Sequence, residues 1–359
     1  MPVLTKMFHH FNTTRDPRQW PFASTSPWNM PIGTGAVYVS VTMPSYGPNS
    51  GSNFTQMPQV DPERIVLAPS APLVTIAYSS AGWTGANRCS PTGGSNGGLP
   101  VTVPVPATYT VPNSNKNECA AFLLADGRTI VQTQPLALCV AGGNGTSVIA
   151  FPAEDLYGDG ITGSHGGSGL SAVGGSVRMG ELRPGQTGMR HAVKIDVDDT
   201  TVLAPQTLQA NCFRWPANKA DSGAVTSYGS ANPTQYSGMK MGALMAIPAS
   251  VPLSTLGLSS PTGPGMQLAW TLQNYGAYIV DSCGAQYEIS AEDGPAGSKN
   301  AEFLADWGYP LDDRIASNTP WTNDFQKCMV ALQLVDNNAP ATRGGGGTPL
   351  QPLAPAISP

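Results

Sequence analysis

Apolar residues in this chain fall in short alternating runs separated by turn residues. In "GAVYVSVTM" (35–43), Val37, Val39, Val41 and Met43 alternate with Tyr38, Ser40 and Thr42, which predicts a half-buried strand. Runs at 64–68, 73–79, 100–105, 120–125 and 128–134 predict further strands, punctuated by turn signals such as "ADGR" at 125–128. Two stretches carry a helical period instead. "GMQLAWTLQNYG" sets Leu268, Leu272 and Tyr275 on one face between Pro264 and Gly276. "TPWTNDFQKCMVAL" offers Thr319 as N-cap, Pro320 at the first helical position, and a stripe of Phe325, Cys328, Met329 and Leu332. "AYIVDS" (277–282) predicts a strand between them.

This pattern predicts a mainly β fold: a large two-sheet sandwich or jelly roll with a few peripheral helices. Residues 1–34 contain "DPRQWPFASTSPWNMPIG", too rich in proline for a helix, and read as an extended N-terminal arm. Residues 35–340 read as a single β-sandwich domain and 341–359 as a Gly/Pro-rich tail, with a homo-oligomer built through these terminal arms as one expectation.

Composition sharpens the picture. Only 11% of the 359 residues are charged, well under the roughly 25% of an ordinary soluble domain, while Gly (41) and Pro (34) are abundant. The net charge is −5 and basic residues do not cluster, which argues against a nucleic-acid partner. No run is long and apolar enough to predict a membrane span. The polar, weakly charged character suits an extracellular or virion/surface-exposed protein, and the N-terminus carries no recognisable signal peptide. None of the six cysteines forms a C-x-x-C, which disfavours a zinc ribbon; a disulfide is expected among Cys89, Cys119 and Cys139.

Ionisable chemistry concentrates in "GSHGGSGLSAVGGSVRMGELRPGQTGMRHAVKIDV" (163–197), which holds two of the four histidines. Read as a hairpin of 176–182 and 190–197, it pairs Val177 with Ile195 and Met179 with Val193. That register sets Glu181 opposite His191 on one face and Arg178 opposite Lys194 on the other. The first pair is a candidate acid/base couple. The second is a like-charge pair that a bound uronate would offset. His165, in the glycine loop, is expected to be exposed.

These residues suggest a lyase or hydrolase acting on an acidic polysaccharide. In the lyase version, Arg178 and Lys194 neutralise the uronate carboxylate, His165 or His191 takes the acidified proton, Tyr278 protonates the leaving oxygen, and Glu181 orients the histidine. The register places His191 behind the cations and so favours His165 as base. Arg190, Lys194 and Trp215 are candidate substrate contacts, the last by stacking on a sugar ring. No cofactor is required, although "DLYGDG" offers Asp155 and Asp159 as candidate Ca2+ ligands, with Tyr157 where a further oxygen would be expected. The alternatives are a carbohydrate-binding module, or a non-enzymatic virion, tail or surface-appendage subunit docking through its arms. The expected partner is otherwise a polysaccharide or cell-surface glycan.

The segments "HGGSGLSAVGGSVRMGEL", "MRHAVKIDV", "FRWPANKADSG", "GALMAIPAS", "LQNYGAYIVDS" and "VDNNAP" resemble a family of uncharacterised, mostly secreted bacterial β-rich proteins. The similarity runs from about residue 120 onward and is echoed by "SPWNMPI". It implies one folded unit centred on 163–197, in the style of polysaccharide-lyase jelly rolls by fold-level analogy.

Overall fold

The computed structural model describes residues 14–46, 58–95, 97–312 and 318–357. Among them the protein is mainly β, with sheets of twelve, three and two strands. At the centre of the large sheet, Val193–Asp198 runs parallel to Ala277–Cys283 on one edge and antiparallel to Tyr287–Gly294 on the other. Beyond Tyr287–Gly294 lies Gln59–Val66, parallel to it, and then Ala120–Leu123, again parallel. Leu244–Ala246, Gln333–Val335 and Tyr38–Val39 extend the opposite side. This is one wide mixed sheet, and its parallel pairs depart from the antiparallel order of a jelly roll.

Alternation dictates what each face does. Val193, Ile195 and Val197 point into a core shared with Leu268 and Leu272 of helix Pro264–Asn274 and Phe325 and Met329 of helix Pro320–Val330. Both helices form where their period predicts. Thr319 caps the second, its side chain accepting from the Thr322 amide. At the other end of the sheet, Val66 and Phe122 pack against Val74, Ile76 and Val103 of the three-stranded sheet. The opposite face of the central strands carries Lys194, Asp196 and Asp198. Part of that face is covered by Trp28, Phe22 and Ala172, and part by the glycine loop.

Four expectations need correcting. The 35–43 strand shrinks to Tyr38–Val39 at a sheet edge, with Val37 exposed, because only Gln333–Val335 is there to pair with it. The 176–197 hairpin does not form. Its second strand has distant partners on both edges, so no edge remains for 176–182, and Val177 instead bridges Ala291. The N-terminal arm is a buried strap rather than a free one: Phe22, Trp28 and Ile32 are core residues. The tail is fastened to it, since Thr14–Arg15 pairs with Ala356–Ile357 and Gly33 packs so tightly that a Cβ would sit 2.0 Å from the Gly346 carbonyl oxygen. Among the described residues, arm and tail thus pair with each other within the chain.

Cys89 and Cys139 form the expected disulfide, while Cys119, Cys212, Cys283 and Cys328 are free. The bridge spans 50 residues and staples a loop to the region around the three-stranded sheet. The double variant Cys89→Ser/Cys139→Ser is expected to lose about 2–4 kcal/mol of stability in urea denaturation, since closing a loop of that length restricts the unfolded chain. An unchanged midpoint would mean that this sheet is held by its core alone.

Candidate functional site

Two places gather ionisable side chains: a buried acidic chamber on the polar face of the central sheet, and an open groove beside it.

The chamber is built by alternation along four strands. Gln59–Val66 contributes Asp61 and Glu63, and Tyr287–Gly294 contributes Glu288 and Ser290. Lys194 and Asp196 come from the central strand. The sheet register sets Asp61 beside Ser290 and Asp196 beside Glu288. A register shift between Ile195 and Asp196 skips Val280 and brings Asp281 next to Asp196, as a bulge re-aims a side chain. Pro62 is tolerated because strand pairing on its second edge starts only at Arg64.

The glycine loop closes over these groups. His165 is fully buried, contrary to the expectation of an exposed loop histidine. Its Nε2 lies 3.0 Å from Glu63 Oε1, 3.2 Å from Ser290 Oγ and 3.6 Å from Asp61 Oδ2. The Gly167 amide donates to Asp281 Oδ1 at 3.0 Å, and Asn117 Nδ2 donates to both Asp281 and Asp61. The close approach requires glycine: a Cβ on Gly166 would lie 1.5 Å from Asp281 Oδ2.

Lys194 is fully buried here, its ammonium donating to Glu63 Oε1 and to the Ser171 and Ala172 carbonyls. It does not face Arg178, so the expected cationic pair for a uronate is not assembled. Burial, with Glu288, Glu63 and Asp281 close by, pushes Asp61 up to about 7 against the pull of His165. Burial and Asp221 likewise push Asp281 up to about 7. Burial and then the neighbouring carboxylates drive Asp196 well above the ordinary range. Asp61, Glu63, Cys119 and His165 each offer a ligand atom within 4.8 Å of the others, a set that could hold a metal ion.

The groove keeps Arg178, Glu181, Arg190 and His191 of the predicted site together. A cleft of about 510 Å3 is lined by Trp20, Arg178, Glu181, Gln186, Arg190 and His191. A neighbouring lobe of about 560 Å3 shares Gln19, Arg178, Met179 and Gly180 with it. Glu181 and His191 meet although no hairpin pairs them, with Nε2 to Oε1 at 3.0 Å. A turn at Arg178–Glu181 brings them together, the Arg178 amide donating to Glu181 Oε2 at 2.8 Å.

His191 Nδ1 donates to the Ala192 carbonyl at 2.9 Å. Burial opposes a charged ring, but Glu181 outweighs it and raises His191 above the ordinary imidazole value. Burial would raise Glu181 in turn, yet His191 and the Arg178 amide hold it below the usual carboxylate range. Both shifts favour the charged forms of the pair, and both ring nitrogens of His191 are engaged. Arg178 donates to Glu292 at 2.8 Å and to the Arg18 carbonyl, while Arg190 is exposed.

The remaining predicted residues lie elsewhere. Tyr278 is buried edge-on against Trp28, its hydroxyl accepting from Asn338 at 3.4 Å, and Trp215 lies under the Arg343 guanidinium. Neither lines the groove. Arg128 holds both Asp155 oxygens, and Asp159 accepts from the Ile161 amide. Sequence reading missed Asp61, Glu63, Cys119, Asp196, Asp281 and Glu288. The signals were the alternations Gln59-x-Asp61-x-Glu63 and Glu288-x-Ser290-x-Glu292, hidden by Pro62 and by the rarity of buried acids.

No protein-family model, curated protein or solved structure matches the chain. No helix among the described residues is long and apolar enough to cross a membrane.

Two outcomes are expected. Gly166→Ala should cost about 1–3 kcal/mol in chemical denaturation by forcing the loop off Asp281, and an unaltered stability would show that the loop is not clamped there. The second concerns pH. Asp61 and Asp281 hold protons to about 7, and burial pushes Glu154 up to about 8, whereas the unfolded chain releases these protons near 4. The folded state therefore binds more protons across that window, and stability falls as pH rises through it. His191 adds the same sign, since its raised value gives a contribution present at low pH and lost as pH climbs. In chelator-treated protein the unfolding free energy should drop by at least ~2 kcal/mol from pH 5 to pH 8, and a rise would refute this charge distribution.

Proposed function

We propose that the protein binds an acidic polysaccharide along the groove beside its N-terminal strap. The observation that carries this reading is the Glu181–His191 contact at 3.0 Å on the wall of a two-lobed open cleft that Arg190, which is exposed, and Trp20 also line. Two adjoining lobes that share lining residues suit a chain polymer. The Arg190 guanidinium can recognise uronate or sulfate oxygens through charge-assisted hydrogen bonds, with His191 contributing charge only, and an aromatic face accepts a sugar ring.

Binding is the part of the glycan reading that this geometry supports best. A lyase needs a free base beside the uronate. His165 is buried in the chamber, and both ring nitrogens of His191 are engaged. The assembly-subunit alternative is disfavoured by the strap and tail pairing with each other.

Titration calorimetry against a panel of uronate-containing and sulfated polysaccharides tests the proposal, with absorbance of unsaturated uronate followed on the same mixtures. A panel member is expected to bind, and Arg190→Ala to weaken it about tenfold. Affinity should fall as pH rises through the raised value of His191, and Glu181→Gln should move that fall to lower pH. No binding by the wild type, or binding indifferent to Arg190 and Glu181, would remove the groove as the site. A growing absorbance would add cleavage to binding.

A further inference from the structure

The chamber holds a second kind of chemistry that the groove does not use. Asp61, Glu63, Cys119 and His165 are each at most 1% exposed, and their ligand atoms lie within 4.8 Å of one another. Asp61 Oδ1, Glu63 Oε2 and His165 Nδ1 have no hydrogen-bond partner. The nearby donors are already committed: Lys194 to Glu63 Oε1 and two carbonyls, Asn117 to Asp61 Oδ2 and Asp281, and the Cys119 thiol to the Ser164 carbonyl. Buried carboxylate oxygens left bare in this way are costly, and protein groups do not compensate them here.

We infer that these four residues form a structural site for a zinc-class divalent cation. The donor set decides the class. One sulfur, one imidazole nitrogen and two carboxylate oxygens match the four-coordinate preference of zinc, whereas calcium and magnesium take six or more oxygens or keep their water. Charge balance agrees, because the dication and the Lys194 ammonium together neutralise two carboxylates and a thiolate. On binding, the Cys119 Sγ–H proton leaves to solvent and an S–metal bond replaces it.

Outer-shell groups are in place. Glu63 Oε1 is held by Lys194 and Asp61 Oδ2 by Asn117, while His165 Nδ1 lies 3.9 Å from Asp281 Oδ2 without a hydrogen bond between them. The site would tie Gln59–Val66, the residue preceding Ala120–Leu123 and the glycine loop at one point. Complete burial makes it a clamp rather than a centre open to substrate. The inference does not depend on the glycan reading, and its test does not use a glycan.

The experiment takes the purified full chain, strips it with a chelator, reloads it with zinc alone and removes excess by desalting. One equivalent of zinc should remain by elemental analysis. The thermal midpoint should rise by roughly 3 °C at about a hundredfold excess over Kd. Reloading with Co2+ instead should give a thiolate-to-metal charge-transfer band and a tetrahedral ligand-field spectrum. Cys119→Ser and His165→Gln should each lose the retained zinc. Three results would overturn the inference: folded wild type that retains no zinc, Co2+ bound without a thiolate band, or zinc retention undiminished in both variants. The Co2+ spectrum of the wild type decides the question even if a variant fails to fold.

Discussion

The strand Val193–Asp198 is paired on both edges and buried on both faces, and the rest of the molecule is arranged around that constraint. Its apolar face asks for helices, which the chain supplies from two distant segments. Its polar face cannot meet water, so Lys194 and Asp196 must find partners inside the protein. Lys194 finds Glu63 of Gln59–Val66 and the Ser171 and Ala172 carbonyls, while Asp196 lies beside Glu288 and Asp281 of the two flanking strands. A buried acidic chamber follows from placing an alternating strand at the centre of a covered sheet.

The glycine loop answers to that chamber. A loop bearing ordinary side chains could not bring its amides onto Asp281, because even one Cβ at Gly166 collides with the carboxylate. With glycine there, the backbone itself becomes a hydrogen-bonding lid, and His165 is carried down among the acids. The density of ionisable residues in 163–197 therefore has two separate destinations. His165 and Lys194 belong to the interior, whereas Arg178, Glu181, Arg190 and His191 belong to the groove wall. The arm contributes to both regions, with Trp28 buried on the sheet and Trp20 reaching the groove.

This division separates holding from binding. The chamber is closed and charge-dense, with its free energy dominated by desolvation and by how the excess of carboxylates is neutralised. The groove is open, and its ion pair keeps a fixed charge pattern at the surface by satisfying Glu181 and His191 with each other and with backbone groups.

Local sequence determined the mainly β class, the strands near 73–78, 101–104, 120–123, 129–134 and 277–283, and both helices, because period, capping and turn chemistry act over a few residues. It also brought Glu181 and His191 into one site, since ten residues and a tight turn separate them. Tertiary structure alone decided the partners of Val193–Asp198, and so dissolved the hairpin and parted Arg178 from Lys194. A strand edge carries no mark of which distant segment will claim it. The same holds for Asp61, Glu63, Cys119 and His165: they are up to about a hundred residues apart in the chain, and only long-range pairing and the folded-over glycine loop put their side chains in one space. Alternation told which residues share a face, but not which face would be sealed from water, and burial is what turns scattered acids into a site.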